Sequence, residues 1–160
     1  MIPSLLPLFE WFEATGLGQL VRTSAWLFPV IESVHLLGLC ALGGAVLIVD
    51  LRMLGAGLTN QPLAPLARAV HPWLVASLAL MFLTGIPLFL SEAVKCFHNP
   101  SFWVKMGTLP IAILFALTVR RRVAGHPERD TSVTTRLVAT VSLLLWFTVA
   151  AGGRWIGFSS

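Results

Sequence analysis

Four apolar runs, each long enough to cross a bilayer as a helix, are separated by short polar connections, and no other feature constrains this chain as strongly. A spanning helix needs about 20 residues of low polarity, because hydrocarbon offers no partner to an unpaired backbone N–H or C=O. The runs extend over about 25–54, 71–93, 102–120 and 134–151. Gly55, Gly57, Asn60, Pro62 and Pro65 break the chain after the first run, Asn99-Pro100 closes the link after the second, and residues 125–131 turn it before the fourth. Pro72 is expected in the first turn of the second helix, where its missing N–H does no harm, and Pro87 and Pro110 are expected to kink their helices. Within segment 3–20, Glu10 and Glu13 stand opposite Leu5, Leu6, Leu8, Phe9 and Phe12, the pattern of an amphipathic helix in the membrane interface. This N-terminus lacks the basic start of a cleaved signal peptide. The expected fold is therefore all-α, an integral membrane bundle of four transmembrane helices preceded by a short interfacial amphipathic helix, in one domain over residues 1–160.

Composition agrees with lipid as the solvent. Of the 160 residues 56% are hydrophobic and 11% charged, with a mean hydropathy of +0.84. Soluble domains carry about 25% charged residues. The net charge of +4 does not point to nucleic acid, because Arg120, Arg121, Arg122, Arg129 and Arg136 fall in one connection and no recognition motif accompanies them. That concentration suits an inner-leaflet loop. With four spans the first and third connections hold seven basic residues (those five with Arg52 and Arg68), against four on the other side (Arg22, Lys95, Lys105 and Arg154). Both termini are therefore expected outside, in the periplasm of a bacterial inner membrane. Trp26, Trp103 and Trp155 then form an outer aromatic belt, and Trp73 marks the inner face.

Ionisable side chains within spans are costly and are functional candidates by default. Glu32 and His35 share a face of the first helix, and His35 lies about 13 Å below Trp26 at 1.5 Å per residue. Lys105, Glu92, Lys95 and Arg154 lie toward the same end, so the outer half is where a cofactor site is expected. Each residue also has a plainer reading. Glu32 serves equally as an ion-pair partner of Lys105 or Arg154, His35 as a contact between helices, and Lys105 and Arg154 as side chains snorkelling to head groups. Asp50 and Arg52 read as a charge pair at the inner edge, His71 as an interfacial residue far in depth from His35, and His126 as a solvated turn residue. Cys96 and His98 have the spacing of a weak soft-metal pair. A disulfide between Cys40 and Cys96 is not expected, and no Walker loop, HExxH, CxxC or nucleophile triad occurs.

Trp26-Leu27-Phe28-Pro29, Glu32, Val34-His35-Leu36-Leu37-Gly38, Asp50-Leu51-Arg52-Met53-Leu54-Gly55, Thr84-Gly85, Ser91-Glu92-Ala93-Val94-Lys95-Cys96, Asn99-Pro100-Ser101-Phe102, Lys105-Met106 and Gly153-Arg154-Trp155-Ile156-Gly157-Phe158 make up a pattern covering nearly the whole chain. It is similar to an uncharacterised family of small bacterial four-helix inner-membrane proteins. More distantly the chain resembles HemJ-type protoporphyrinogen oxidases, with His35 and Lys105 matching their histidine and lysine in order and depth. That resemblance implies haem b within the bundle, though the tryptophan-rich surroundings of the histidine are not reproduced. The glycine-rich half-helix after His35 is also similar to CopD-type membrane proteins, without their methionine- and histidine-rich copper motifs.

Three functions follow as expectations. The first is a b-type haem protein for electron transfer or oxidation of a membrane-soluble substrate. His35 would be its axial ligand and metal contact, oriented by Glu32 or a backbone carbonyl, with Lys105 and Arg154 neutralising propionates. The second is a non-catalytic subunit anchoring a larger complex or a homo-oligomer. The third is a transporter of a metal ion or small solute that depends on Glu32.

Overall fold

The computed structural model describes residues 5–125 and 132–158, and among them every regular element is helical. His126 and Arg129 lie outside the described residues. Two short helices, α1 (Leu6–Glu13) and α2 (Gly16–Thr23), precede the long α3 (Leu27–Leu54) and α4 (Leu63–Ser91). The short α5 (Ala93–His98) leads into α6 (Pro100–Ala124), and α7 (Val133–Phe158) follows. α3, α4, α6 and α7 are four helices long and apolar enough to cross a membrane. This is a multi-pass membrane protein.

The helix ends follow local chemistry. Asn99 Oδ1 accepts from Ser101 N at 2.9 Å and Pro100 fills the first position of α6, so the Asn-Pro pair begins a helix as much as it closes a link. Gly55 ends α3 with φ +76°, a left-handed value that suits a residue without Cβ, and the N–H groups of Gly55 and Ala56 close on Arg52 O and Leu51 O.

Several boundaries differ from the sequence reading. α4 begins at Leu63, well before His71, because Pro62 caps it with ψ 134° and Pro65 occupies its first turn, where N–H groups have no carbonyl to meet. The extension buries Leu63 completely against Val49 and Met53. Pro72 consequently lies inside the helix, and Trp73 projects, exposed, from its flank. α3 and α4, of 28 and 29 residues, are roughly 42–44 Å long and exceed a hydrocarbon core of about 30 Å. Pro87 and Pro110 both sit within continuous helices, while residues 116–120 of α6 form a π turn. The closing 152–157 stretch continues α7.

α3 packs on α4 and α7, and α7 packs on α6. Three clusters fill the interior. Phe9, Ala93, Cys96, Phe97 and Phe102 close one end together with Ile156, so the N-terminal helices, the α4–α6 link and the end of α7 share that end. Leu42, Ala45, Val46, Leu74 and Leu78 occupy the middle, and Val49, Met53, Leu63, Val123, Ala124 and Ala139 the opposite, arginine-bearing end. The N-terminal segment is helical as expected; Leu5, Leu6, Phe9 and Phe12 pack on protein, while Leu8 and Trp11 remain exposed. Phe9 is 7% exposed among the rings of Phe12, Phe89, Phe97, Phe102 and Trp103, with centroids 5.1–6.2 Å away. A Cβ on Gly18 would stand 2.7 Å from Leu90 O, so only glycine lets α2 lie this close to α4.

Candidate functional site

Two groups of polar side chains lie inside the bundle, one toward each end. Toward the N-terminal end, His35 Nδ1 is 2.7 Å from Thr84 Oγ1, and Thr84 Oγ1 is 2.7 Å from Leu80 O. A carbonyl only accepts, so the single hydroxyl hydrogen of Thr84 goes to Leu80 O. His35 Nδ1 must then carry the proton and donate to Thr84. The ring is held as the tautomer whose Nε2 has a bare lone pair, the arrangement that suits a ligating imidazole. The orienting partner of His35 is thus Thr84 on the facing helix, and not Glu32 on its own.

Glycines make room for this group. A Cβ on Gly85 would sit 3.2 Å from His35 Cε1, so the ring lies flush against α4. Gly38, one turn below, receives Leu80 and Met81 in the same way. Across the bundle, Lys105 lies along Gly152 and Gly153, with Nζ 3.3 Å from where a Gly153 Cβ would be. Its ammonium is half-buried, makes no hydrogen bond or ion pair with a described residue, and is close enough for its charge to act on His35.

The other expected members of the group are distributed differently. Glu32 is exposed on the outside of α3 without a hydrogen bond or ion pair to a described residue. Arg154 is exposed near the end of α7. Glu92 is paired with Lys95 at 3.7 Å on the rim of an end cavity of about 590 Å³, which is also lined by Glu13, Arg22 and His98. In that cavity Glu13 joins Arg22 through one carboxylate oxygen and accepts from Val94 N through the other, at 2.9 Å, which ties α1 to α2 and α5. His71 is half-buried partway along α4, roughly 20 Å along the helix from Thr84, at a different level from His35.

Cys96 and His98 do not form a ligand pair. Cys96 is buried in the aromatic cluster, whereas His98 is exposed, edge-on to Phe97. Burial, with the Glu92 carboxylate second, pushes the Cys96 thiol up to about 11, so it stays protonated and a poor ligand at neutral pH. Both cysteines are free. Among the described residues no three His, Cys, Asp or Glu side chains gather as a metal site.

The second group corrects the expected Asp50–Arg52 pair. Asp50, fully buried, meets Arg120 of α6, whose Nε donates to Oδ1 at 2.5 Å, and Ser142 of α7, whose Oγ donates to Oδ2 at 2.6 Å. Arg120 Nη2 also donates to Val46 O at 3.1 Å. Arg52 turns away and donates from Nε to Gln61 O at 2.6 Å. The π turn over Ala116–Arg120 adds a residue to the local repeat and delivers Arg120 inward, 6% exposed, from a position that reads in sequence as loop. Both charges are paired and the carboxylate has a donor on each oxygen, which is what a buried ion pair requires. The arrangement joins α3, α6 and α7 and leaves no open face for a ligand.

Thr84, Arg120 and Ser142 are members of these groups that the sequence did not mark as interior polar residues. The only available signals were a threonine beside the glycine that faces His35 and a serine within an apolar run. The family model of DUF6644, a family of unknown function, matches residues 8–159. No curated protein and no solved structure matches the chain.

Proposed function

The chain belongs to DUF6644, a family of unknown function, and we propose that it is a membrane protein that binds a b-type haem through His35 in the N-terminal half of the bundle. The observation that carries this reading is the hydrogen-bond sequence from His35 Nδ1 through Thr84 to Leu80 O, which leaves Nε2 free to ligate. The donor set suits a haem better than a bare ion. A bare ion needs several protein ligands, and no such cluster occurs among the described residues. A porphyrin supplies most of the iron's ligands, so one oriented imidazole suffices. Thr84 would act as the positioning residue for His35, Gly85 makes room for the imidazole, and Arg154 would offer positive charge to the propionates. The haem supplies one-electron chemistry at its iron, for electron transfer or oxidation of a membrane-soluble substrate. The chain sets burial and ligand orientation.

The positive-inside count supports placing both termini in the periplasm of a bacterial inner membrane. Arg120 is committed to Asp50, and without it the first and third connections still carry six basic residues in sequence against four on the other side. The test is a reduced-minus-oxidised optical spectrum of protein purified in detergent after expression with ample haem. A b-type spectrum is expected, lost in His35→Ala and shifted in band position or midpoint potential in Thr84→Val. A colourless wild-type preparation, or a spectrum indifferent to His35→Ala, would overturn the proposal.

A further inference from the structure

The cavity at the N-terminal end of the bundle draws its walls from α1 through α5. Glu13 comes from α1, Arg22 from α2, Phe28 from α3, Glu92 from the junction of α4 and α5, and Lys95 from α5. Its volume of about 590 Å³ lies within the range of roughly 300–1,000 Å³ that holds a small organic ligand. Depth argues against a purely apolar occupant. α3 and α4 exceed a hydrocarbon core of about 30 Å by roughly 12 Å, so about one helical turn at each end stands at head-group level. Phe28 is the second residue of α3 and Ser91 the last of α4, which puts the cavity at that level. Trp26, at the start of α3, is 80% exposed, as an interfacial aromatic side chain is.

The charges in the cavity are not all spent on one another. Glu13 has a donor on each carboxylate oxygen, one from Arg22 and one from Val94 N at 2.9 Å, and so holds the guanidinium in place. Arg22 gives one N–H to that contact and keeps the others for a ligand. Glu92 and Lys95 face each other at 3.7 Å, beyond hydrogen-bond distance, so the carboxylate retains its lone pairs and the ammonium its donors. His98, exposed on the rim, donates or accepts as its tautomer requires. Two cations and one carboxylate therefore remain open to a ligand in one chamber. An anionic group satisfies Arg22 and Lys95, and a cation bearing N–H groups satisfies Glu92.

We propose that this cavity binds the zwitterionic head group of a phosphatidylethanolamine, with the phosphate on Arg22 and Lys95, the ammonium on Glu92 and the glycerol backbone against Phe28. The site is separate from His35 and needs no cofactor. The two charges of the head group match the chamber, while the acyl chains stay in the bilayer at whose surface the cavity lies. Phosphatidylglycerol offers the phosphate but nothing for Glu92, whose charge opposes it. Phosphatidylcholine offers both charges, yet its quaternary ammonium has no N–H to give the carboxylate. Free phosphoethanolamine shares the head-group chemistry and lacks the chains.

The experiment is native mass spectrometry of the full chain, released from detergent micelles that carry equal amounts of phosphatidylethanolamine, phosphatidylcholine and phosphatidylglycerol. Phosphatidylethanolamine is expected to be retained about tenfold over either of the others, as for one added charge-assisted contact. Glu92→Gln is expected to bring it down to the level of phosphatidylcholine, and Lys95→Gln to weaken retention of both. These two side chains are partly exposed, so the fold should tolerate either change. Val94→Trp fills the cavity while keeping its charges and the backbone N–H that Glu13 uses. It is expected to abolish retention, with folding checked by circular dichroism. Equal retention of the three lipids, a preference for phosphatidylglycerol, or a preference unchanged in Glu92→Gln would each overturn the proposal. Full displacement of the lipid by millimolar free phosphoethanolamine would overturn it too, by assigning the cavity to a water-soluble ligand.

Discussion

Asp50→Ala is the substitution that most directly tests how this bundle holds together. Asp50 is fully buried and receives hydrogen bonds from Arg120 and Ser142, so its loss strands a guanidinium that is 6% exposed and leaves the Ser142 hydroxyl without its acceptor. Removing one partner of a buried pair costs about 3–5 kcal/mol, which is roughly a hundred- to a few-thousand-fold in the unfolding equilibrium. Ser142→Ala removes one donor and keeps the ion pair, at a cost of about 1–3 kcal/mol. Replacing both charges by apolar groups, Asp50→Leu with Arg120→Met, removes the stranded charge along with its partner. The double variant is expected within about 1 kcal/mol of wild type, or above it. The assay is unfolding by titration of dodecyl sulfate into mixed micelles, followed by tryptophan emission, for which Trp146 against the middle cluster is a suitable reporter. A cost below about 1 kcal/mol for Asp50→Ala would refute the argument. So would a double variant no more stable than Asp50→Ala, because the two side chains would then not be acting as a unit.

Gly18→Ala places a methyl group 2.7 Å from Leu90 O and should push α2 off α4, costing about 1–3 kcal/mol locally and opening the α1–α2 junction to protease, while Gly16→Ala, with nothing within 4 Å, should not. Cys96, in a Cys40→Ser background, should resist alkylation at pH 8 and react as pH approaches about 11, because the thiolate is the nucleophile. The sign for stability agrees: a thiol raised from 9.0 to about 11 contributes stability that is intact below pH 9.0 and is lost as pH rises through about 11. Rapid labelling of folded protein at pH 8 would show that the aromatic cluster does not seal Cys96.

The two interior polar groups were not equally legible in the sequence. His35 stands out in an apolar run, and Lys105 stands out in another, so their relevance follows from cost alone. Their neighbours do not stand out. Thr84 is an ordinary residue for a membrane helix, and only its position opposite His35 gives it a role. Arg120 sits among arginines that belong to a loop, and a π turn directs it inward. Glu32 shows the reverse error, since its spacing from His35 places both on one face but cannot say whether the glutamate reaches the interior. The start of α4 at Leu63 is hidden from the sequence for a similar reason. Proline is read locally as a breaker, yet at a helix start it fits, and burial of Leu63 decides between the two.

What the sequence determined by itself is the solvent and therefore the class of fold. About 20 consecutive apolar residues leave the backbone no partner except its own helix, so four such runs make four helices whatever surrounds them. The tertiary structure decided which side chains meet. His35 finds Thr84, Asp50 finds Arg120 and Ser142 instead of Arg52, and Phe9 is drawn under the aromatic cluster at the end of the bundle. These contacts depend on rotation and depth of one helix against another. Packing sets both through glycines such as Gly38 and Gly85, and the hydropathy of a single run holds no record of either.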